Sequence, residues 1–223
     1  VLRMAMPSVA AQIVNLLYNL VDRIYIGHIP GIGTDALAGI GVTGAIIILI
    51  SAFSAIVSGG GAPLAAIALG QGDRKRAGQT LGNGFVLLLI FTLLTTTLTY
   101  LFMEPLLMFT GASENTVGYA KDYLSIYLLG TLFVETSVGL NTFINTQGRP
   151  AIAMYSVLIG AVLNIILDPI FIFVMGMGVR GAALATVISQ ACSALWIVSF
   201  LTSKRASLRL EFRYMRPDRN VIS

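Results

Sequence analysis

The 223 residues are 56% hydrophobic and only 11% charged, with a mean hydropathy of +0.85; a soluble domain carries about 25% charged residues. This excludes a soluble enzyme. The formal net charge of +4 does not argue for nucleic acid, because the basic residues flank apolar runs, as membrane topology requires. The lone Cys192 excludes an internal disulfide, and no Cys or His spacing suits a metal cluster. The chain reads as an all-α polytopic membrane protein. It starts at Val1 without a cleavable signal pattern, so its natural N-terminus is expected upstream.

Six spans are predicted, over about 4–27, 37–69, 78–103, 119–146, 151–175 and 181–202. The first is interrupted early by Pro7 and carries Gln12, Asn15, Tyr18, Asn19 and Asp22, which fall on one helical stripe. Ile13, Leu16, Leu17, Leu20 and Ile24 cover most of the remaining surface. A polar stripe on a spanning helix must face protein or a water-filled cavity; interhelical hydrogen bonding is the plainer use, and the carboxylate at its end favours a lined cavity. Arg23 points elsewhere and is expected to snorkel outward. The turn-rich loop after it holds His28, the chain's only histidine, read as a surface residue.

The second span contains Gly39-Ile40-Gly41-Val42-Thr43-Gly44. This fits a dinucleotide fingerprint only by spelling, since no strand precedes it; close helix packing is the better reading. Gly59-Gly60-Gly61 and Pro63 allow a distortion before Leu64 to Leu69. Gly70 to Arg76 form a short basic loop without phosphate-cradle spacing. The third span has a Leu/Thr-rich end, and Glu104 to Gly118 are read as a polar connection. The fourth carries Glu135 mid-span, with Asn141 and Asn145 further on. The fifth contains Asn164 and Asp168-Pro169. The sixth places Thr186, Ser189, Gln190 and Ser193 on one face.

One side of the membrane collects Arg3, Arg74, Lys75, Arg76, Arg149 and the tail residues Lys204, Arg205, Arg209, Arg213, Arg216 and Arg219; the other holds Lys121 and Arg180, with Arg23 near its edge. The first side is expected to be cytoplasmic, with both termini there, in a cell inner (plasma) membrane. Residues 204–223 then form a basic cytoplasmic loop. Asp22 and Asp168 each lie nineteen residues beyond a cytoplasmic arginine, about 28 Å up a helix. Thr186 lies about 9 Å below the outer Arg180. All three therefore reach similar height, with Asn164 one turn below Asp168. An intramembrane carboxylate costs roughly 2.5–3.5 kcal/mol on insertion scales and marks an ion or proton site by default. Two carboxylates, an amide and a hydroxyl offer hard oxygen ligands for a small cation; a proton and a sodium ion are alternative occupants. The competing structural reading is that Asp168 merely caps or hydrogen-bonds beside Pro169, whose ring removes a backbone donor and frees the carbonyl of Asn164 or Ile165.

The chain resembles the N-terminal half of a MATE (multidrug and toxic compound extrusion) transporter. The likeness rests on Pro7 and Tyr18-Asn19-Leu20-Val21-Asp22 with Ile26-Gly27, on Gly70-Gln71-Gly72-Asp73 and Gly148-Arg149-Pro150, and above all on Leu163-Asn164-Ile165-Ile166-Leu167-Asp168-Pro169 and Gly181-Ala182-Ala183-Leu184-Ala185-Thr186 with Gln190. It implies one six-helix lobe of a twelve-helix fold, in a secondary antiporter that exports cationic or amphipathic drugs by alternating access, driven by sodium or protons. In the DinF-like branch the resemblance assigns the cation site to Asp22, Asn164, Asp168 and Thr186. Asn15, Tyr18 and Asn141 resemble positions lining the drug cavity or its polar network, to which Asn19, Gln190 and Glu135 are added as candidates. Glu135 is no family signature and reads either as an extra proton carrier or as a residue buried against amides. The chain stops in what resembles the inter-lobe loop, so its expected partner is a missing C-terminal lobe or a second copy. No cofactor is expected beyond the coupling ion.

Occupying the two aspartates is expected to change first-span packing and bias inward-open against outward-open states. A lipid-linked sugar flippase of the same superfamily would carry more cationic residues toward the cavity. An intramembrane aspartyl protease needs G-x-G-D, whereas Ile166-Leu167 precede Asp168. A non-transporting assembly subunit is the alternative from a different class.

Overall fold

Apolar runs of this length must close their backbone hydrogen bonds within themselves when water is absent, and helices result. A computed structural model describes residues 2–215, in the order α1 (Leu2–Gly27), α2 (Gly33–Ile56), α3 (Ala62–Gly70), α4 (Arg74–Leu101), α5 (Met103–Phe109), α6 (Val117–Thr146), α7 (Pro150–Pro169) and α8 (Val179–Thr202). A π-turn over Val57–Gly61 joins α2 to α3, and another over Ile170–Val174 extends α7. Among the described residues, five helical rods are long and apolar enough to cross a membrane by length and composition: α2 continued through α3, α4, α6, α7 with its extension, and α8. With 26 residues, α1 has the length of a sixth and carries the polar stripe. Arg216, Arg219 and the side chain of Arg3 lie outside the described residues.

Boundaries follow local chemistry. Pro150 opens α7 in the first turn, where its missing N–H is harmless. Asp73 caps α4, its carboxylate accepting from Arg76 N at 2.9 Å. Hydroxyls on α4 fold back onto their own helix, Thr95 to Phe91 O and Thr97 to Leu93 O, each at 2.7 Å, so they are satisfied at lipid depth. The turn into α8 uses Gly176 and Gly178 at φ 65° and 55°, a region costly for side-chain-bearing residues.

Helix α6 is the centre of the bundle and packs against α2, α4 and α8, while α1 rests mainly on α7. Close approach of α6 to α8 needs small residues: a Cβ on Gly130 would collide with Val187, and Ala182, Ala183 and Ala185 are fully buried. One core gathers Leu81, Leu88, Leu140, Phe143, Ile197 and Leu201; another joins Ile26, Ile40, Tyr123, Tyr127, Ile172 and Ala182. The opposite faces expose Leu16, Leu20, Leu49, Leu93, Leu129 and Val162, a surface suited to hydrocarbon.

Three expectations are corrected. The stretch from Glu104 to Gly118 is not simply a polar connection, because α5 occupies its start; Leu107 is fully buried among Ile46, Ile50 and Leu124, and Glu104 sits in the first turn, where the helix dipole favours an acid. The second helix starts at Gly33 rather than near Leu37. Of Gly39, Gly41 and Gly44, only Gly39 is a packing glycine: its Cβ would lie 2.8 Å from Thr116 O, whereas the other two face open space.

Candidate functional site

The π-turn after Pro169 is held against α8 by Gly181, where an added Cβ would lie 2.7 Å from the carbonyl carbon and oxygen of Phe171. This docking sets the end of α7 beside the start of α8. Asp168 is fully buried and Asn164 is 2% exposed. Asn164 Nδ2 donates to Asp168 Oδ1 at 3.1 Å and to Thr186 Oγ1 at 3.5 Å. The opposite amide orientation would set two oxygens against each other, so the carboxylate fixes which end of Asn164 faces it. From α1, Asp22 is placed beside Asp168, and Tyr123 of α6 lies beside Thr186. The four residues predicted for the cation site are thus brought together by α1, α7 and α8.

Their unspent valences define what the cluster can hold. Asp22 Oδ1, Asn164 Oδ1 and Asp168 Oδ2 are buried without a hydrogen-bond partner. All three are oxygen acceptors. Two carboxylates so placed repel each other unless a positive charge lies between them, and unpaired buried acceptors are costly. The donor set is that of a small hard cation or a proton. Among the described residues no three His, Cys, Asp or Glu side chains cluster.

Below this cluster opens a cavity of about 480 Å³. The α1 stripe of Gln12, Asn15, Tyr18, Asn19 and Asp22 forms one wall; Tyr123, Tyr127, Ser137, Asn141 and Asn145 of α6 and Thr186, Gln190 and Ser193 of α8 form another. Tyr18 lies beside Gln190 and Asn19, and Asn19 Nδ2 donates to Asn15 O at 2.7 Å. Asn141 Nδ2 ties α6 to α7 through Ser156 Oγ at 2.7 Å and Ala153 O at 3.0 Å. Asp22 is the only acid among the lining residues, which include no Lys or Arg.

Glu135 does not line this cavity. It is 1% exposed and lies behind Ser51, accepting from Ser51 Oγ at 2.8 Å and from Ser54 Oγ. Its partners are hydroxyls of α2, not the amides considered from sequence. Ser51, which lines the cavity, stands between Glu135 and the cavity interior. His28 is exposed and bonds Ile24 O at 2.8 Å, as a surface residue should. Sequence reading missed Tyr123, Tyr127 and Ser51. The two tyrosines, stacked at 6.0 Å one turn apart, open a stripe continuing through Val134, Val138, Asn141 and Asn145; that three-to-four spacing was the available signal.

The comparisons agree with this architecture. The family model MatE matches residues 7–170. The chain is 27% identical to the multidrug export protein MepA of Staphylococcus haemolyticus over 98% of its own length and 48% of that protein. It is 30% identical to the FAD transporter of Shewanella oneidensis over 91% of itself and 44% of the relative. The structure of a multidrug resistance MATE family transporter of the MOP superfamily in its outward-facing conformation superposes with TM-score 0.90 at 28% identity, over 99% of this chain and 49% of that one. The chain therefore spans about half the length of the curated relatives it matches. It is a multi-pass helical membrane protein, one lobe of a twelve-helix architecture, and it belongs to the MatE family of transporters.

Proposed function

We propose that the chain is the N-terminal lobe of an antiporter that exports cationic or amphipathic organic compounds across the cell membrane, and that Asp22, Asn164, Asp168 and Thr186 bind the coupling cation, a proton or sodium. The observation that carries this reading is the group of three buried, unpartnered oxygens on Asp22, Asn164 and Asp168. A cation there neutralises the carboxylates and draws α1 toward α7 and α8. Its loss lets α1 move and reshapes the adjoining cavity, coupling ion occupancy to cargo release. Asn15, Tyr18, Asn19, Asn141 and Gln190 serve the cargo or its polar surroundings. Both ends of the chain are assigned to the cytoplasm by the distribution of basic residues.

A cavity wall with one carboxylate and no Lys or Arg favours positively charged cargo over anionic cargo such as a lipid-linked sugar phosphate. The test is efflux of a fluorescent organic cation from cells producing the full-length protein. Asp168→Asn and Asp22→Asn preserve size and are each expected to reduce transport at least tenfold at unchanged membrane abundance. Full-rate efflux by both variants rules out the assigned roles.

A further inference from the structure

The segment after α8 does not trail away from the bundle. Leu210 N donates to Leu201 O at 2.9 Å, and Leu208 N to Gln147 Oε1 at 3.0 Å, folding the chain back beneath α4 and α6. Leu208 and Leu210 are buried in the same core as Ala77 and Leu81. Tyr214 seats on Gly78 and Gly82 of α4; a Cβ on Gly78 would lie 2.9 Å from its ring, and one on Gly82 would strike its carbonyl oxygen. The fold-back is thus a built surface with a glycine-lined dock.

It encloses a second concavity of about 480 Å³ on the basic side of the molecule. Arg74 and Lys75 line one wall, while Lys204, Arg205, Arg209 and Arg213 line the other. Topology requires basic loops on one side of a membrane, but it does not require loops 130 residues apart in sequence to converge on one hollow. The only acid in its lining, Glu211, is paired with Arg213 at 2.6 Å, and Asp73 is engaged in capping α4. Arg74, Lys75, Lys204, Arg205 and Arg209 have no carboxylate within ion-pair distance among the described residues. The exposed apolar residues Leu64 and Ile67 belong to α3, which packs against α4.

We propose that this hollow binds a phosphate-bearing anion, the chemistry presented by an anionic lipid headgroup at the membrane face or by free phosphate. Clustered guanidinium and ammonium groups supply the charge and the donors such an anion requires. The anchored 204–214 segment, docked on the end of α4, holds them in place.

The test uses the purified full-length protein in phosphatidylcholine nanodiscs, reading its thermal transition against added short-chain phosphatidylglycerol, short-chain phosphatidylcholine or inorganic phosphate. Saturable stabilisation by phosphatidylglycerol and not phosphatidylcholine is expected. Neutralising two cations in Arg205→Gln/Arg209→Gln is expected to weaken it roughly thirtyfold. The pair Arg74→Gln/Lys75→Gln removes two cations from the opposite wall without touching the fold-back, and the same weakening there separates lost binding from a folding defect. Stabilisation by inorganic phosphate as well identifies the free anion as a ligand; stabilisation by the lipid alone identifies the headgroup, and both uphold the site. No stabilisation by either, or affinity unchanged in both double variants, overturns it.

Discussion

Glu135 illustrates how a residue's neighbours decide its use. A carboxylate at membrane depth is costly, and its two hydroxyl donors come from one face of α2, Ser51 and Ser54 being three residues apart. The pair could be read in sequence only after knowing that α2 and α6 are neighbours, which is why amides were considered instead. Because Glu135 is the shared acceptor, Glu135→Ala strands two hydroxyls and is expected to destabilise the protein by about 1–3 kcal/mol. Glu135→Gln keeps an acceptor oxygen and is expected to lose less. Thermal denaturation of the two variants side by side checks this; equal stability of Glu135→Ala and the parent chain contradicts the assignment. The convergence of Asn164, Asp168 and Asp22 was more legible, since Asn164 and Asp168 share a helical face and Asp22 matches them in depth by counting from Arg3 and Arg149.

At the scale of elements, the long apolar runs and their Gly and Pro punctuation were readable because a spanning helix must be long and apolar. The π-turn at Val57–Gly61 coincides with the distortion expected from Gly59-Gly60-Gly61 and Pro63. Helix α5 was not readable: at seven residues it is too short to display a period, and Leu107 is held by contacts with α2 and α6. Packing glycines were also hidden, because sequence does not distinguish a glycine facing another helix from one facing open space. The structure does, and predicts opposite outcomes for similar changes. Gly181→Ala forces a methyl against the Phe171 carbonyl and should cost about 1–3 kcal/mol, displacing the α7–α8 junction that carries the proposed cation site. Gly41→Ala meets nothing within 4 Å and should be near neutral or slightly stabilising. Melting temperatures of the two variants test this; equal shifts contradict the docking of the π-turn on α8.

At the scale of the whole molecule, a lobe covering about half of its matched relatives contains a complete oxygen cluster and one wall system of a cavity. The cluster draws from three helices of this lobe alone, so the proposed coupling chemistry is local, whereas cargo selection depends on whatever faces the cavity from outside the lobe. The cavity's lack of cationic lining and the cation-rich hollow on the basic side separate the two proposed sites by charge: one proposed for cations, the other for phosphate anions.

The claim on which this account turns is that Asp22, Asn164, Asp168 and Thr186 bind a cation in the folded protein. The most direct measurement is the thermal stability of the purified full-length protein, read against sodium replacing choline at constant ionic strength and separately against pH, for the parent chain and Asp168→Asn. The account predicts a saturable dependence on sodium or on protons, reaching about 2.7 kcal/mol for a ligand at a hundredfold excess over its Kd, and loss of that dependence in Asp168→Asn. Stability indifferent to both cations, or a dependence that persists unchanged in Asp168→Asn, would contradict it.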